Sequence, residues 1–399
     1  MSIQQICPVS GECVLFGRGE EVFQSWFQNI RKAGITSIRP IGGVSENGFV
    51  RELKRSVGGY DSYVVLKSNL NKTSDNLYYE WRVGQYLNKF MFQFPLFVKT
   101  YGVYEYATGD KQLIQDHPEE ALPVIARLQD TYMERSILVP ENICIVVQQV
   151  YEAIPFRELI DDYKRSPSEE LRHEILCVLY QVYFVLPLIP SFSHNDLHDN
   201  NVILTFAKDK YYEYTYTKNR LTFSFRNRYA AKIIDYGRCV YPFTQDLKVN
   251  LDKKNNVEEQ KNAGYPWKYV ETPCKESDLK LILFCIECGA LPRTFFDDIQ
   301  SPSSWVEDSL CENSFVFMYP PLYANYLKTG NYPDIRAIAK KLETLIQPHT
   351  YALPRACTIK VSDVALMQVD WPQRAGRRRK SKRSLYGTKR FIYHTKRRS

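Results

Sequence analysis

The residues His194–Asn201, with the sequence HNDLHDNN, are the stretch that decides the interpretation of this chain. They are polar and lead directly into the apolar run Val202–Leu204, which predicts a loop followed by a buried strand. Asp196 is placed to accept or orient the proton of an acceptor hydroxyl group, and Asn201 carries an amide oxygen that can bind a divalent ion. The pattern therefore predicts a catalytic loop that holds a base and a metal ligand.

A second aspartate lies further along the chain, at the end of another apolar run. Ala231–Asp235 predicts a strand that delivers Asp235 into a tight turn at Tyr236 and Gly237. A strand followed by Asp-x-Gly is often only a turn, so this motif gains its meaning from the others.

Two features upstream complete the set. Gly43–Val50 has the form G-x-S-x-x-G-x-V between two predicted strands, and glycine turns of this kind can point backbone N–H groups at phosphate oxygens, although many have no ligand. Lys67 ends the run Tyr63–Leu66 and is either an exposed strand end or a buried ammonium group that needs a counter-charge. Glu80, on the helix predicted over Leu77–Leu87, is the natural partner.

In this order, the four pieces resemble the protein-kinase-like superfamily over residues 36–350. The opening Cys7–Cys13, the run Phe97–Val103 and the basic C-terminal end are similar to the serine/threonine kinase-like proteins of giant DNA viruses. The resemblance implies an α+β, two-lobed protein-kinase-like fold with a β-rich N-lobe and a mainly α C-lobe. It also implies ATP and Mg²⁺ as cofactors.

The resemblance assigns a role to each site residue. On the nucleotide side, Lys67 would pair the α- and β-phosphates while Glu80 holds it. The residues that would cover the phosphates or contact adenine in a hinge at Gln149–Glu152 are Gly43, Ser45, Gly48, Val50, Gln149 and Tyr151. On the acceptor side, Asp196 would be the catalytic base, His198 would belong to the same loop, and Asn201 and Asp235 would bind Mg²⁺. Asp278 would anchor the loop from a buried helix.

The sequence also departs from the family pattern. His198 stands where serine/threonine kinases usually carry lysine, and H-x-D-L-H is similar to choline and aminoglycoside kinases. No Ala-Pro-Glu follows Gly237. Three functions therefore stay open: a kinase for Ser/Thr hydroxyls of proteins, a kinase for a small hydroxylated molecule, and a pseudokinase scaffold tethered by its basic tail. The intact motif residues favour an enzyme, and we expect protein substrates.

Length and composition agree with two lobes. The chain has 399 residues, of which 44% are hydrophobic and 25% charged, which excludes a wholly disordered protein. The predicted division is an N-terminal extension at 1–35, an N-lobe at 36–152, a C-lobe at 153–360 and a basic tail at 361–399. We expect an insertion with a helical patch near 120–133 at 105–142, and a hairpin-like insertion at 206–230.

The net charge of +8 is concentrated at the C-terminal end. Residues 374–399 contain twelve Lys and Arg and no acidic residue, so subtracting them leaves −4 for residues 1–373. With no apolar periodicity, this segment predicts a disordered arm. Candidate partners are nucleic acid or a virion component, while a solvated tail without a partner or a nuclear-localisation-like cluster is the alternative.

The cysteines and apolar runs indicate a cellular setting. Ten scattered cysteines suggest a reduced, intracellular environment, in the host cytoplasm or a virion, with the nucleus as an alternative. Cys285 and Cys288 form either half a zinc site or part of a core helix, and the helix is favoured. The uncharged run Ile175–Asn195 is too short in its apolar part to span a bilayer, so no membrane span is expected.

Overall fold

The chain is a mixed α+β protein with a sheet-rich N-terminal region and most of its helices later in the chain. The computed structural model describes residues 4–6, 14–16, 35–41, 48–57, 60–69, 76–91, 93–105, 126–127, 143–150, 153–206, 211–218, 221–247, 275–299, 333–346, 357–362 and 368–370.

The N-terminal region contains two antiparallel sheets. The first is the small pair β1 (Gln4–Ile6) and β2 (Val14–Phe16). The second has six strands in the order β3-β4-β5-β8-β6-β7. Its members are β3 (Ile35–Pro40), β4 (Gly48–Val57), β5 (Tyr60–Asn69), β6 (Thr100–Glu105), β7 (Ala126–Arg127) and β8 (Ile143–Gln148).

Strand β5 follows the two-residue period of a half-buried strand. Val64 and Leu66 are fully buried, whereas Lys67 is only partly buried and lies opposite Val50 of β4. Helix α1 (Leu77–Leu87) comes next and has the bounds that the sequence predicted. It packs very close to β6, since a Cβ atom at Gly84 would overlap with the side chain of Thr100.

The second half of the described chain begins with β9 (Ile154–Pro155), α2 (Phe156–Arg165) and α3 (Glu169–Val185). Ser168 caps α3, as its hydroxyl oxygen accepts a 3.2 Å hydrogen bond from Leu171 N–H. Among the described residues, one helical segment, Glu169–Leu188, is long and apolar enough to cross a membrane, and most of it is buried inside the fold.

Strand β10 (Val202–Phe206) follows the catalytic loop and pairs with β9 and with a later strand, β13 (Tyr229–Ile233). Between β10 and β13 lies the hairpin of β11 (Tyr212–Lys218) and β12 (Leu221–Asn227), which confirms the hairpin predicted within 206–230. Helices α4 (Lys280–Glu287) and α5 (Ile335–Leu345) complete the helical part. Cys285 lies buried in α4, as the core-helix interpretation expected.

The C-terminal strands β14 (Cys357–Ser362) and β15 (Gln368–Asp370) extend the hairpin into a sheet of order β12-β11-β14-β15. Strand β14 contains residue 361, which the sequence predicted as the start of the basic tail, so this boundary falls inside a strand. Residues 374–399 lie outside the described residues, as do most of 1–35 and 106–142.

Three local predictions differ from the structure. The sequence predicts a strand over Leu96–Tyr104, but β6 begins at Thr100, and Phe97 instead makes a single bridge to Ile233. The strand expected to reach Asp235 ends at Ile233. The helical patch expected near 120–133 contains a two-residue strand at Ala126–Arg127, where pairing with β6 satisfies the backbone groups.

Candidate active site

The backbone of the loop that contains HNDLHDNN is held in place by a buried carboxylate. Asp278 is 1% exposed and accepts hydrogen bonds of 2.9 to 3.0 Å from the backbone N–H groups of His194 and Asn195. His194 is fully buried and its Nε2 lies 2.9 Å from the carbonyl oxygen of Ile234, so Nε2 carries the proton. Burial lowers the pKa of His194, which keeps the ring neutral. The loop therefore has a defined backbone.

Asp196 projects from this loop and is surrounded by cationic side chains. Arg238 Nη1 lies 3.2 Å from its Oδ2, and Lys280 Nζ lies 3.8 Å from its Oδ1. The Asp196 side chain is 13% exposed, so it is mostly shielded but reachable from solvent. Asn201 donates a 2.9 Å hydrogen bond from its amide to the Asp196 carbonyl oxygen, which closes the loop on itself.

Lys67 lies between two carboxylates. Its Nζ is 2.7 Å from Glu80 Oε2 and 3.0 Å from Asp235 Oδ1. The predicted contact between Lys67 and Glu80 is therefore present, and Asp235 is a further partner. The ammonium group of Lys67 lowers the pKa of Asp235, which keeps that carboxylate ionised. Glu80 is almost buried, whereas the Asp235 side chain is 46% exposed and can face a ligand.

The turn after β13 is held in an unusual conformation. Asp235 has φ 65° and ψ 72°, in the left-handed region that residues with a side chain rarely adopt. Tyr236 is buried, and its hydroxyl group donates to Ile233 O and accepts from Val98 N–H. Asn76, just before α1, donates from its amide to Gly237 O. The turn is thus attached to the helix that carries Glu80.

The oxygen donors expected to bind Mg²⁺ come from two paired strand ends. Asn201 O accepts a 3.0 Å hydrogen bond from Ile234 N–H, so Asn201 is tied to the residue that precedes Asp235. A carboxylate and an amide oxygen suit Mg²⁺, which usually takes one or two protein ligands and completes its shell with phosphate oxygens and water. The donor chemistry of Asp235 and Asn201 therefore fits this ion.

His198 is a neutral member of the site. Its Nδ1 accepts a 3.2 Å hydrogen bond from Asn200 N–H, which places the ring proton on Nε2. That Nε2 lies 3.9 Å from Asp196 Oδ2, beyond hydrogen-bond distance. Burial lowers the pKa of His198 and Lys280 adds to this effect, while Asp196 opposes it. His198 therefore does not supply the charge that a lysine would bring to this position.

The other expected nucleotide-binding residues are described only in part. Gly48 and Val50 lie at the start of β4, and Val50 pairs with Lys67 across the sheet. Gln149 follows β8, and its Oε1 is buried without a hydrogen-bond partner in the described part of the chain. The remaining three, Gly43, Ser45 and Tyr151, lie outside the described residues.

Sequence reasoning missed two residues that contact Asp196, namely Arg238 and Lys280. Arg238 directly follows the Tyr236-Gly237 turn, and Lys280 lies two positions after Asp278. Once Asp278 is taken as the residue that anchors the loop, the lysine two positions later could have been recognised as a neighbour of Asp196. Arg238 had no comparable signal, because its direction depends on the turn at Asp235.

Comparisons with known proteins give structural matches alone. No protein-family model matches the sequence, and no curated protein matches it significantly. Among solved structures, WaaP in complex with acyl carrier protein aligns over 81% of this chain and 92% of its own, with 11% identity and a TM-score of 0.33. A Plasmodium kinase domain aligns over 80% of this chain and 95% of its own, with 12% identity and a TM-score of 0.31.

Both TM-scores lie below 0.5, so neither match indicates a function for this chain. The resemblance to proteins of giant DNA viruses stays a prediction from the sequence.

Proposed function

We propose that this chain is an ATP·Mg²⁺-dependent phosphotransferase that acts on hydroxyl groups. The observation that carries the proposal is the contact of Lys67 with both Glu80 and Asp235, at 2.7 and 3.0 Å. Joining these three residues brings a strand, a helix and a turn to one place. A cation held between carboxylates, one of them half-exposed, suits the binding of phosphate groups together with a metal ion.

The chain's own residues divide the chemistry between them. Lys67, held by Glu80, orients the phosphate chain, while Asp235 and Asn201 hold the metal ion. Mg²⁺·ATP, when bound, supplies the γ-phosphoryl group and a positive charge that offsets the negative charge of the transition state. Asp196 would accept the proton of the acceptor hydroxyl group as that oxygen bonds to the γ-phosphorus. The bond from this phosphorus to the bridging oxygen of the β-phosphate would break at the same time, so that ADP leaves and the acceptor carries the phosphoryl group.

We infer Ser or Thr hydroxyls of proteins as the acceptors, following the resemblance of the sequence. A small hydroxylated molecule is the second candidate, and the character of His198 favours it. This residue is neutral and partly buried beside Asp196, whereas the protein kinases that the sequence resembles carry a lysine at this position. The two candidates differ in the acceptor and share the same chemistry.

The test is phosphoryl transfer from labelled ATP·Mg²⁺ to generic proteins and, separately, to aminoalcohols and aminoglycosides. We expect label on one acceptor class with the natural chain. Asp196→Asn should reduce transfer by about 10²-fold or more, because it removes the base, yet it should preserve the thermal shift that ATP produces. Near-normal turnover in Asp196→Asn would contradict the assignment of the loop. Absence of transfer to every acceptor together with ATP binding would favour the scaffold alternative.

A further inference from the structure

The proposed base, Asp196, lies beside two cationic side chains, Arg238 and Lys280. A phosphoryl group in transfer carries negative charge on its oxygens, and fixed positive charge near the attacking oxygen stabilises that state. His198 follows Asp196 by two residues in the loop, and its Nδ1 accepts a hydrogen bond from Asn200 N–H. Its proton lies on Nε2, 3.9 Å from Asp196 Oδ2, too far to orient the carboxylate by a hydrogen bond.

Lys280 brings a cation to this place from a different element. It is the first residue of α4, and its Nζ lies 3.8 Å from Asp196 Oδ1. The Lys280 side chain is 14% exposed, so its ammonium group lies near the carboxylate and does not extend into solvent. The desolvation of a lysine is costly without a nearby negative charge, and Asp196 offers one.

The anchoring of Lys280 makes its position rigid. Two residues earlier, the carboxylate of Asp278 binds the backbone N–H groups of His194 and Asn195. The Asp278 carbonyl oxygen also accepts a 2.6 Å hydrogen bond from the buried hydroxyl group of Tyr183. The short segment from Asp278 to Lys280 therefore contacts the loop twice. Asp278 binds the loop backbone, and Lys280 approaches the carboxylate of Asp196. These bonds fix where the backbone of Lys280 starts relative to the loop, and the ion pair with Asp196 holds the end of its side chain.

Arg238 and Lys280 approach different oxygens of Asp196. Arg238 Nη1 is within hydrogen-bond distance of Oδ2 and can fix the plane of the carboxylate. Lys280, at 3.8 Å from Oδ1, is too far to be a hydrogen-bond donor in this state. It remains a charge beside the oxygen that is not bonded to Arg238. An acceptor hydroxyl group that approaches Oδ1 would therefore also come close to the ammonium group.

We propose that Lys280 is a positioning residue of the phosphotransfer site, whose ammonium charge beside Oδ1 of Asp196 acts together with Arg238 at Oδ2 to keep that carboxylate oriented. The inference rests on the proposed function. It adds a residue outside the catalytic loop to the machinery.

The experiment measures kcat and KM for ATP and for the acceptor that takes up label in the test above. The full natural chain is compared with Lys280→Met and Lys280→Arg. We expect Lys280→Met to lower kcat by about 10- to 100-fold with KM for ATP changed less than about twofold, since Lys280 acts through the base and not on the nucleotide. Lys280→Arg should recover most of kcat, because it restores the charge. Lys340→Met is the matched control, as Lys340 pairs with Glu343 on the surface of α5, and it should leave kcat unchanged.

A second measurement separates positioning from a general loss of folding. In an Asp196→Asn background, adding Lys280→Met should cause little further loss, because residues that act as one unit are not additive. A wild-type kcat in Lys280→Met, failure of Lys280→Arg to recover activity while the ATP thermal shift is intact, or a full additional loss in the double variant would each overturn the inference. An inactive natural chain would instead overturn the proposed function, and this inference with it.

Discussion

At the scale of single residues, the site contains two residues whose backbone angles lie in the left-handed region. Asn195 has φ 60° and Asp235 has φ 65°, and each conformation costs on the order of 1–3 kcal/mol for a residue with a side chain. Hydrogen bonds hold Asn195 in place, since its Oδ1 accepts from the hydroxyl groups of Ser193 and Ser277 and its Nδ2 donates to Arg238 O. The last bond ties the turn after Asp235 to the loop of Asp196.

The ion pair of Lys67 and Glu80 leads to a double-variant prediction. Lys67→Met and Glu80→Gln should each reduce kcat/KM, because each removes part of the group that orients phosphates. The loss in the double variant should be smaller than the product of the two fold-losses, since the 2.7 Å contact couples the residues. Steady-state kinetics of the four proteins measure this. Independent, multiplicative losses would mean that the contact does not act in catalysis.

Asp235 should affect metal-dependent nucleotide binding more than Asp196 does. In Asp235→Ala, the thermal shift produced by ATP with Mg²⁺ should fall towards that with ATP and EDTA, because the variant lacks the proposed carboxylate ligand. Asp162→Ala, an exposed carboxylate paired with Arg165 on α2, is the control and should keep the full shift. A metal-dependent shift that persists in Asp235→Ala would contradict the assignment.

At the scale of elements, a buried carboxylate joins α3 to the hairpin that precedes β13. Glu174 is 2% exposed, and its two oxygens accept hydrogen bonds from the backbone N–H and the Nε of Arg228, at 3.0 and 3.2 Å. Burial raises the pKa of Glu174 from 4.5 to about 7, while Arg228 opposes this and Glu170 adds slightly to it. Desolvation thus outweighs the ion pair.

This raised pKa predicts a specific pH dependence of stability. The folded protein holds the Glu174 proton more tightly than the unfolded chain, so the stabilising contribution is fully present below pH 4.5 and is lost as the pH rises through about 7. In Glu174→Gln that loss should be absent. Relative to this variant, the wild-type free energy of unfolding should fall by up to about 3 kcal/mol between pH 4.5 and 8.

Urea denaturation across this pH range provides the measurement. The control is Glu169→Gln, which changes an exposed glutamate of the same helix and should follow the wild-type pH dependence. If the wild type and Glu174→Gln differ by the same amount at every pH, the carboxylate of Glu174 titrates normally and the explanation is wrong.

At the scale of the whole molecule, the positive charge of the chain is concentrated in the sequence of its last 26 residues. Residues 374–399 carry twelve Lys and Arg, and Tyr386, Phe391 and Tyr393 lie among them. We propose that this arm binds nucleic acid through phosphate contacts and stacking of aromatic rings on single strands. The proposed catalytic residues all come before it in the sequence, so the two activities should be separable.

Deleting residues 374–399 should remove binding to single-stranded DNA and leave phosphotransfer unchanged. If six or more of the basic residues contact phosphates, the affinity of the full chain should fall by about 10³-fold or more between 50 and 200 mM salt. Fluorescence anisotropy at several salt concentrations measures both effects. Binding that survives the deletion, or that does not depend on salt, would show that the arm is not the contact.

Much of the fold could be predicted because local patterns report local burial. The sequence predicts a helix over Leu77–Leu87 and a strand over Ile143–Gln148, both with the bounds observed, and most residues of each element are buried. The polar residues of His194–Asn201, followed by an apolar run, predicted a loop before a strand. Strand ends were less well defined, because pairing partners decide where a strand ends, as at Ile233.

The sequence alone determined which residue types could carry the chemistry: a base and an amide in one loop, an aspartate at a glycine turn, and a lysine with a glutamate partner. Only the tertiary structure decided that Lys67 also meets Asp235, 168 positions away, and that Arg238 and Lys280 surround Asp196. Contacts between distant positions follow from packing and from the direction of each turn, and neither leaves a periodic trace in the sequence. The environment of the proposed base was therefore visible only in the folded chain.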